Sequence, residues 1–78
     1  MDREPLLAYL ANLIGGDRKL LPKPSESLVD EGVLDSFGLA DLVAMLDKSY
    51  GVKVPDKDLA LANFDTIDKI AAYVESHR

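Results

Sequence analysis

"GVLDSFGLADLVAML", residues Gly32 to Leu46, contains a helix with a sharply marked beginning. Leu39, Leu42, Val43 and Leu46 recur at the spacing that gathers apolar side chains on one helical face, and Tyr50 prolongs the stripe. Gly51 supplies a stop. At the front stand Asp35 and Ser36, both of a type that accepts the unpaired amide hydrogens of a first turn. The spacing predicts a helix from about Ser36 to Tyr50. Either of them could simply cap the helix.

On either side of this stretch the chain repeats the same logic. Asp2 can cap a first helix, with Pro5 tolerated in its first turn. Leu6, Leu7, Leu10, Leu13 and Ile14 follow at helical spacing, and Gly15-Gly16 ends the run. Near the C-terminus, Asp65 reads as an N-cap, Asp68 adds negative charge to the first turn, and Ile67, Ile70, Ala71 and Val74 form a core face. Pro55 and Asp56 suggest a short helix near Asp56 to Leu61. The connection "DRKLLPKPSESLVDEGVL" is long, and Pro22 and Pro24 argue against a helix within it. It still carries Leu20, Leu21, Leu28, Val29, Val33 and Leu34, so it should pack onto the core. No alternating strand pattern is present. The expected fold is all-α: a small four-helix bundle of three long helices and one short one.

Bulk properties bound the rest. The 78 residues read as a single domain over 1–78, near the size at which one core can just sustain a fold. With no cysteine and 47% hydrophobic residues, stability has to come from packing. No apolar run approaches the roughly 20 residues of a membrane span, and "MDREPLLAYL" lacks the features of a signal peptide. A cytoplasmic monomer without membrane insertion is expected. The net charge of −5 is unevenly spread: residues 1–24 hold three acids and four bases, residues 25–78 eleven acids and five bases. Between Lys23 and Lys48 there is no base, whereas Glu26, Asp30, Glu31, Asp35, Asp41 and Asp47 all lie there. Nucleic acid is excluded as a natural partner of such a surface, and a basic protein fits it.

The inventory for catalysis is thin. His77 is the only histidine and lies in the last turn; there is no zinc-ligand spacing and no glycine-rich phosphate loop. Asp47, Ser49, Gly51 and Asp58 fall near ligand positions of a calcium loop. However, Val52 stands where that loop needs glycine, and Asp58 where it needs a bidentate glutamate. Asp56 and Asp58 read instead as helix-capping carboxylates. Arg18, Lys19 and Lys23 solvate the first loop, Phe64 belongs to the core, and Tyr73 is half-buried. No catalytic residue and no metal site is assigned. Ser36 has no neighbouring His or Lys to activate it as a nucleophile. At a helix N-terminus, which favours phosphate, it reads either as a modification site or as a simple cap.

"LDSF" followed by "GLADLVAML", with "VKVPD" after the helix, resembles the phosphopantetheine attachment motif of acyl and peptidyl carrier proteins. The resemblance runs from the apolar first loop to the last helix and covers nearly the whole chain. It implies that Ser36 carries 4'-phosphopantetheine through a phosphodiester, added from coenzyme A by a phosphopantetheinyl transferase. Asp35 would be the motif's acid, and the arm's thiol would hold acyl or aminoacyl groups as thioesters. A loading ligase and a downstream synthase or transferase would be further partners, meeting the carrier at Phe37, Ala40, Asp41, Ala44 and Asp47. The chain departs from the fatty-acid carriers: Phe37 replaces the usual Leu, Gly38 stands where an acid is common, and Lys48 and Ser49 interrupt an acidic run. These departures point to a free-standing carrier in a specialised pathway. The competing reading is an unmodified acidic helical interaction domain.

Overall fold

The computed structural model describes residues 1–77. Three α-helices, α1 (Glu4–Leu13), α2 (Leu39–Tyr50) and α3 (Ile67–His77), are joined through 3-10 turns at Arg18–Leu20, Asp56–Asp58 and Leu61–Asn63. The described residues form no strand, as the sequence pattern requires, and make a small helical bundle of 30 × 23 × 20 Å.

α1 begins where expected. Pro5 lies in its first turn, and the Asp2 carboxylate accepts the Glu4 N–H at 2.9 Å, one residue ahead of the formal cap Arg3. At the other end the Ile14 and Gly16 N–H groups donate to the Ala11 carbonyl. α2 ends on Gly51, whose φ of 69° is left-handed. From there the amides of Gly51 and Val52 turn back onto the carbonyls of Asp47 and Leu46.

Tyr50 sets α1 against α2. Its hydroxyl donates to the Asp2 carbonyl at 2.7 Å and accepts the Leu6 N–H at 3.1 Å, so the last turn of α2 lies beside the first turn of α1. Further along α1, the Tyr9 phenol is pushed above its usual pKa by burial and then by the charge of Asp41, in the first turn of α2. The two helices therefore run antiparallel.

The core draws on all three α-helices and on the segments between them. Leu6 and Leu10 of α1, Leu42 and Leu46 of α2, and Ile67, Ile70 and Val74 of α3 are buried together with Val52 and Phe64. The stripe on α2 is narrower than its sequence suggests: Leu42 and Leu46 are buried, and Met45, not Val43, packs beside them with Leu39 and Tyr50. The long connection also packs inward, through Leu28, Val33 and Leu34. Two backbone hydrogen bonds tie it to the start of α3, from Leu28 N–H to the Asp65 carbonyl (2.7 Å) and from Asp68 N–H to the Pro24 carbonyl (3.1 Å). Leu20 departs from the expected packing and is 67% exposed.

Two local readings are corrected. The segment expected as a helix over 56–61 is two 3-10 turns, because Ala60 is extended between them (φ −135°, ψ 135°). The break lets Val54, Leu61 and Phe64 all reach the core. The cap of α3 is Thr66, not Asp65. Thr66 Oγ1 accepts the Lys69 N–H at 3.0 Å, while Asp65 gives its carbonyl to Leu28 and sets its carboxylate 2.9 Å from Lys69 Nζ.

Candidate functional site

Leu34 is 3% exposed, and from it the chain emerges at Asp35 into solvent. Ser36, Phe37 and Gly38 make a turn, and α2 proper starts at Leu39, three residues later than the sequence spacing suggests. The reason is visible in the hydrogen bonds. Asp35 Oδ1 accepts the Gly38 N–H at 2.8 Å, and the Asp35 carbonyl accepts the same N–H at 3.1 Å. Asp35 thus closes a tight turn ahead of the first α-helical bond, Leu42 N–H to the Gly38 carbonyl. It does the capping that either polar residue could have done.

Ser36 is thereby released from that duty. It lies exposed at the positive end of α2, between the capping acid and Phe37. Phe37 is 90% exposed, far beyond what an aromatic ring gains from its own chain. Ala40, Asp41, Ala44 and Asp47 are also exposed. With Phe37 they stand three and four residues apart and share the outer face of α2. Lys48 and Ser49 are exposed beyond them. All the residues singled out around Ser36 are thus gathered on one surface, with the core stripe behind them.

Among the described residues no group of three His, Cys, Asp or Glu side chains is arranged to hold a metal ion. Asp58, the last ligand position of the calcium-like pattern, is committed elsewhere: its Oδ2 accepts the Tyr73 hydroxyl at 2.7 Å. Burial first, then that hydrogen bond and the carboxylate's charge, push the Tyr73 phenol up to about 12. Tyr73 also stacks on His77 (3.9 Å, 9°) and meets Phe64 at a tilt (5.0 Å, 58°). His77 is exposed, as expected of the last turn, but its ring is not idle. Tyr73 and His77 stand four residues apart on α3, a spacing legible in the sequence, whereas Phe64 joins them from a separate segment that no spacing rule links to α3.

The family model described as "Phosphopantetheine attachment site" matches residues 4–74, from the first turn of α1 to the core of α3. The chain belongs to the phosphopantetheine-attachment family. It is a carrier protein whose cofactor is 4'-phosphopantetheine. The carrier is 32% identical over 76 residues to the meromycolate extension acyl carrier protein of Mycolicibacterium smegmatis, covering 94% of this chain and 75% of that one. It is 37% identical over 71 residues to D-alanyl carrier protein 1 of Lactiplantibacillus plantarum, covering 91% and 86%. A third relative, the D-alanyl carrier protein of Streptococcus pyogenes, is 38% identical over 50 residues, or 64% of this chain. Among the described residues no helix is long and apolar enough to cross a membrane.

Proposed function

We propose that Ser36 is the residue that bears 4'-phosphopantetheine, and that the protein is a free-standing carrier of acyl or aminoacyl groups in a specialised pathway. One observation carries the assignment to Ser36: its hydroxyl is exposed at the head of α2 while Asp35 does the capping. The site suits the group. A phosphodiester at Ser36 would sit at the positive end of a helix. The turn is open to solvent, so a transferase can reach the hydroxyl.

Ser36 Oγ would bond to the pantetheine-side phosphorus of coenzyme A as the diphosphate bridge breaks and the nucleotide leaves. The transferase has to take the hydroxyl proton, because no His or Lys stands near Ser36 in the chain. Bound there, the group supplies a thiol on a flexible arm, which explains how a chain without cysteine can form thioesters. The protein itself would catalyse nothing. It would keep its cargo at high effective concentration near a loading ligase and a downstream synthase or transferase. Phe37 and the exposed acids Asp41 and Asp47 would meet basic, partly apolar surfaces on those enzymes. One relative is named for meromycolate extension and two for D-alanyl carriage, so acyl and aminoacyl cargo both fall within the proposal. Asp35 would orient the turn for the transferase.

The intact mass after incubation with coenzyme A and a broad-specificity phosphopantetheinyl transferase tests the assignment. The wild-type chain should gain one phosphopantetheine and Ser36→Ala none. A gain in Ser36→Ala, or no gain in folded wild-type protein beside a carrier modified in the same tube, would overturn it.

A further inference from the structure

Among the described residues four large apolar side chains are exposed: Leu13, Leu20, Phe37 and Leu59. Two of them come to the same end of the bundle. α1 and α2 are antiparallel, and the Tyr50 hydroxyl sets the last turn of α2 beside the first turn of α1. α1 has 10 residues and α2 has 12, which makes them about 15 and 18 Å long. The last turn of α1 therefore comes level with the first turn of α2. Tyr9 and Asp41 keep the same register, since after burial it is the Asp41 charge that raises the Tyr9 phenol. Leu13 follows Tyr9 by four residues and lies on the same side of α1, towards α2. Beyond Asp41 in that direction is the turn that holds Ser36 and Phe37. Leu13 and Phe37 thus reach the Ser36 end from two different elements.

The other two exposed leucines lie elsewhere. Leu20 belongs to the 3-10 turn that Arg18 ties to Glu4, and Glu4 is about two and a half turns from Leu13, on the opposite side of α1. Leu59 sits between the two 3-10 turns, next to Asp58, which the Tyr73 hydroxyl binds to α3. A single exposed leucine needs no explanation. Leu13 has a setting: it is 47% exposed beside an almost bare Phe37, and the acids Asp35 and Asp41 edge the pair. No base occurs between Lys23 and Lys48 to offset them. Such a patch matches a basic enzyme surface with an apolar centre. The transferase is the enzyme that must press closest to it. It works at Ser36 Oγ itself, whereas enzymes that work on the thiol meet the cargo at the far end of a flexible arm.

We propose that Leu13, in the last turn of α1, joins Phe37 in the docking surface for the phosphopantetheinyl transferase. The proposal rests on the carrier reading above. The docking surface then spans two elements, and α1, otherwise a core-packing helix, takes a direct part in recognition. Nearly half of the Leu13 side chain is left for the transferase to cover.

The test is the rate of transfer from coenzyme A to the full chain by a broad-specificity phosphopantetheinyl transferase, followed by intact mass at varied carrier concentration. Each variant is first shown by its Tm to be folded at the assay temperature. Leu13→Ala should raise KM for the carrier by about five- to tenfold and leave kcat within about twofold, because the contact is the same before and during transfer. Leu13→Met should keep the wild-type KM, and so should Leu20→Ala, although Leu20 is the more exposed leucine. Leu13→Lys keeps a long stem over the core and sets a positive charge against a basic surface, so its KM should rise further. It also serves if the alanine variant does not fold. An unchanged KM in Leu13→Ala and Leu13→Lys would overturn the proposal, as would an equal rise in Leu20→Ala. A wild type that sediments as a dimer, with Leu13→Ala a monomer, would give the patch to a second copy of the chain and overturn it as well. No mass gain in folded wild-type protein, beside a carrier modified in the same tube, would overturn the carrier reading itself. A normal gain with an unchanged KM in the Leu13 variants strikes this proposal alone.

Discussion

Gly38 and Gly51 bracket α2, and alanine should affect them in opposite ways. Gly51 closes the helix at φ 69°, a conformation that costs an L-residue. Gly38 has φ −78° and ψ −13°, which any residue adopts, and a Cβ there would lie 3.5 Å from Asp35 Oδ1 and Leu34 Cδ1, an ordinary contact. Gly51→Ala should therefore cost about 1 kcal/mol or more, and Gly38→Ala should be neutral or stabilise by up to about 1 kcal/mol through the unfolded state. In a domain of this size that is a Tm lower by about 4–8 °C for the first and unchanged or higher for the second, measurable by calorimetry. At this scale the sequence is readable where the chemistry is local. Asp35 followed by Ser36 announces a helix start, and the Gly38 N–H on Asp35 Oδ1 shows which of the two caps it. Asp65 and Thr66 are equally good caps on paper. The choice of Thr66 was not legible, because it depends on Leu28 and Lys69 drawing on the Asp65 carbonyl and carboxylate.

Elements were legible in proportion to their periodicity. α1, α2 and α3 each bury a repeating face, and all three were placed to within a few residues. The segment 56–64 has no period to read, so its two 3-10 turns had to come from the structure. They are held by side chains that reach across from α3, above all Tyr73 to Asp58. This pair gives the protein an alkaline limit. In the unfolded chain Tyr73 ionises near its ordinary pKa of 10, and in the folded one it does so at about 12. Above pH 10 the folded state then keeps a proton that the unfolded state has lost. The stabilisation is complete below pH 10 and disappears as the pH rises towards 12. Urea midpoints of the wild type should fall over that interval more steeply than those of Tyr73→Phe. Tyr73→Phe should be less stable at neutral pH, where it lacks the Asp58 hydrogen bond. Parallel curves for the two proteins would remove Tyr73 as the titrating group.

For the molecule as a whole, the decisive element is the connection before α2. An apolar loop of this length signalled packing, and Leu28, Val33 and Leu34 do enter the core. Which of its leucines would do so was hidden, because a segment without regular structure has no phase from which to read a buried face. Long-range bonds set it instead: Leu28 is clamped to Asp65 through its amide, whereas Leu20 projects from a 3-10 turn into solvent. The two leucines separate packing from composition. Leu28→Ala removes a fully buried side chain and should cost about 2–5 kcal/mol. A core this small supplies only about 3–5 kcal/mol in total, so the variant should be largely unfolded at 37 °C. Leu20→Ala, 67% exposed, should stay within about 0.5 kcal/mol of the wild type. Urea denaturation at 25 °C distinguishes them, and two equal, small effects would mean that the connection is not part of the core. The same comparison bears on Ser36. Its turn follows directly on Leu34, so a connection released from the core would release the turn as well. Leu28→Ala should then be modified by the transferase more slowly than Leu20→Ala, although neither substitution touches the turn itself.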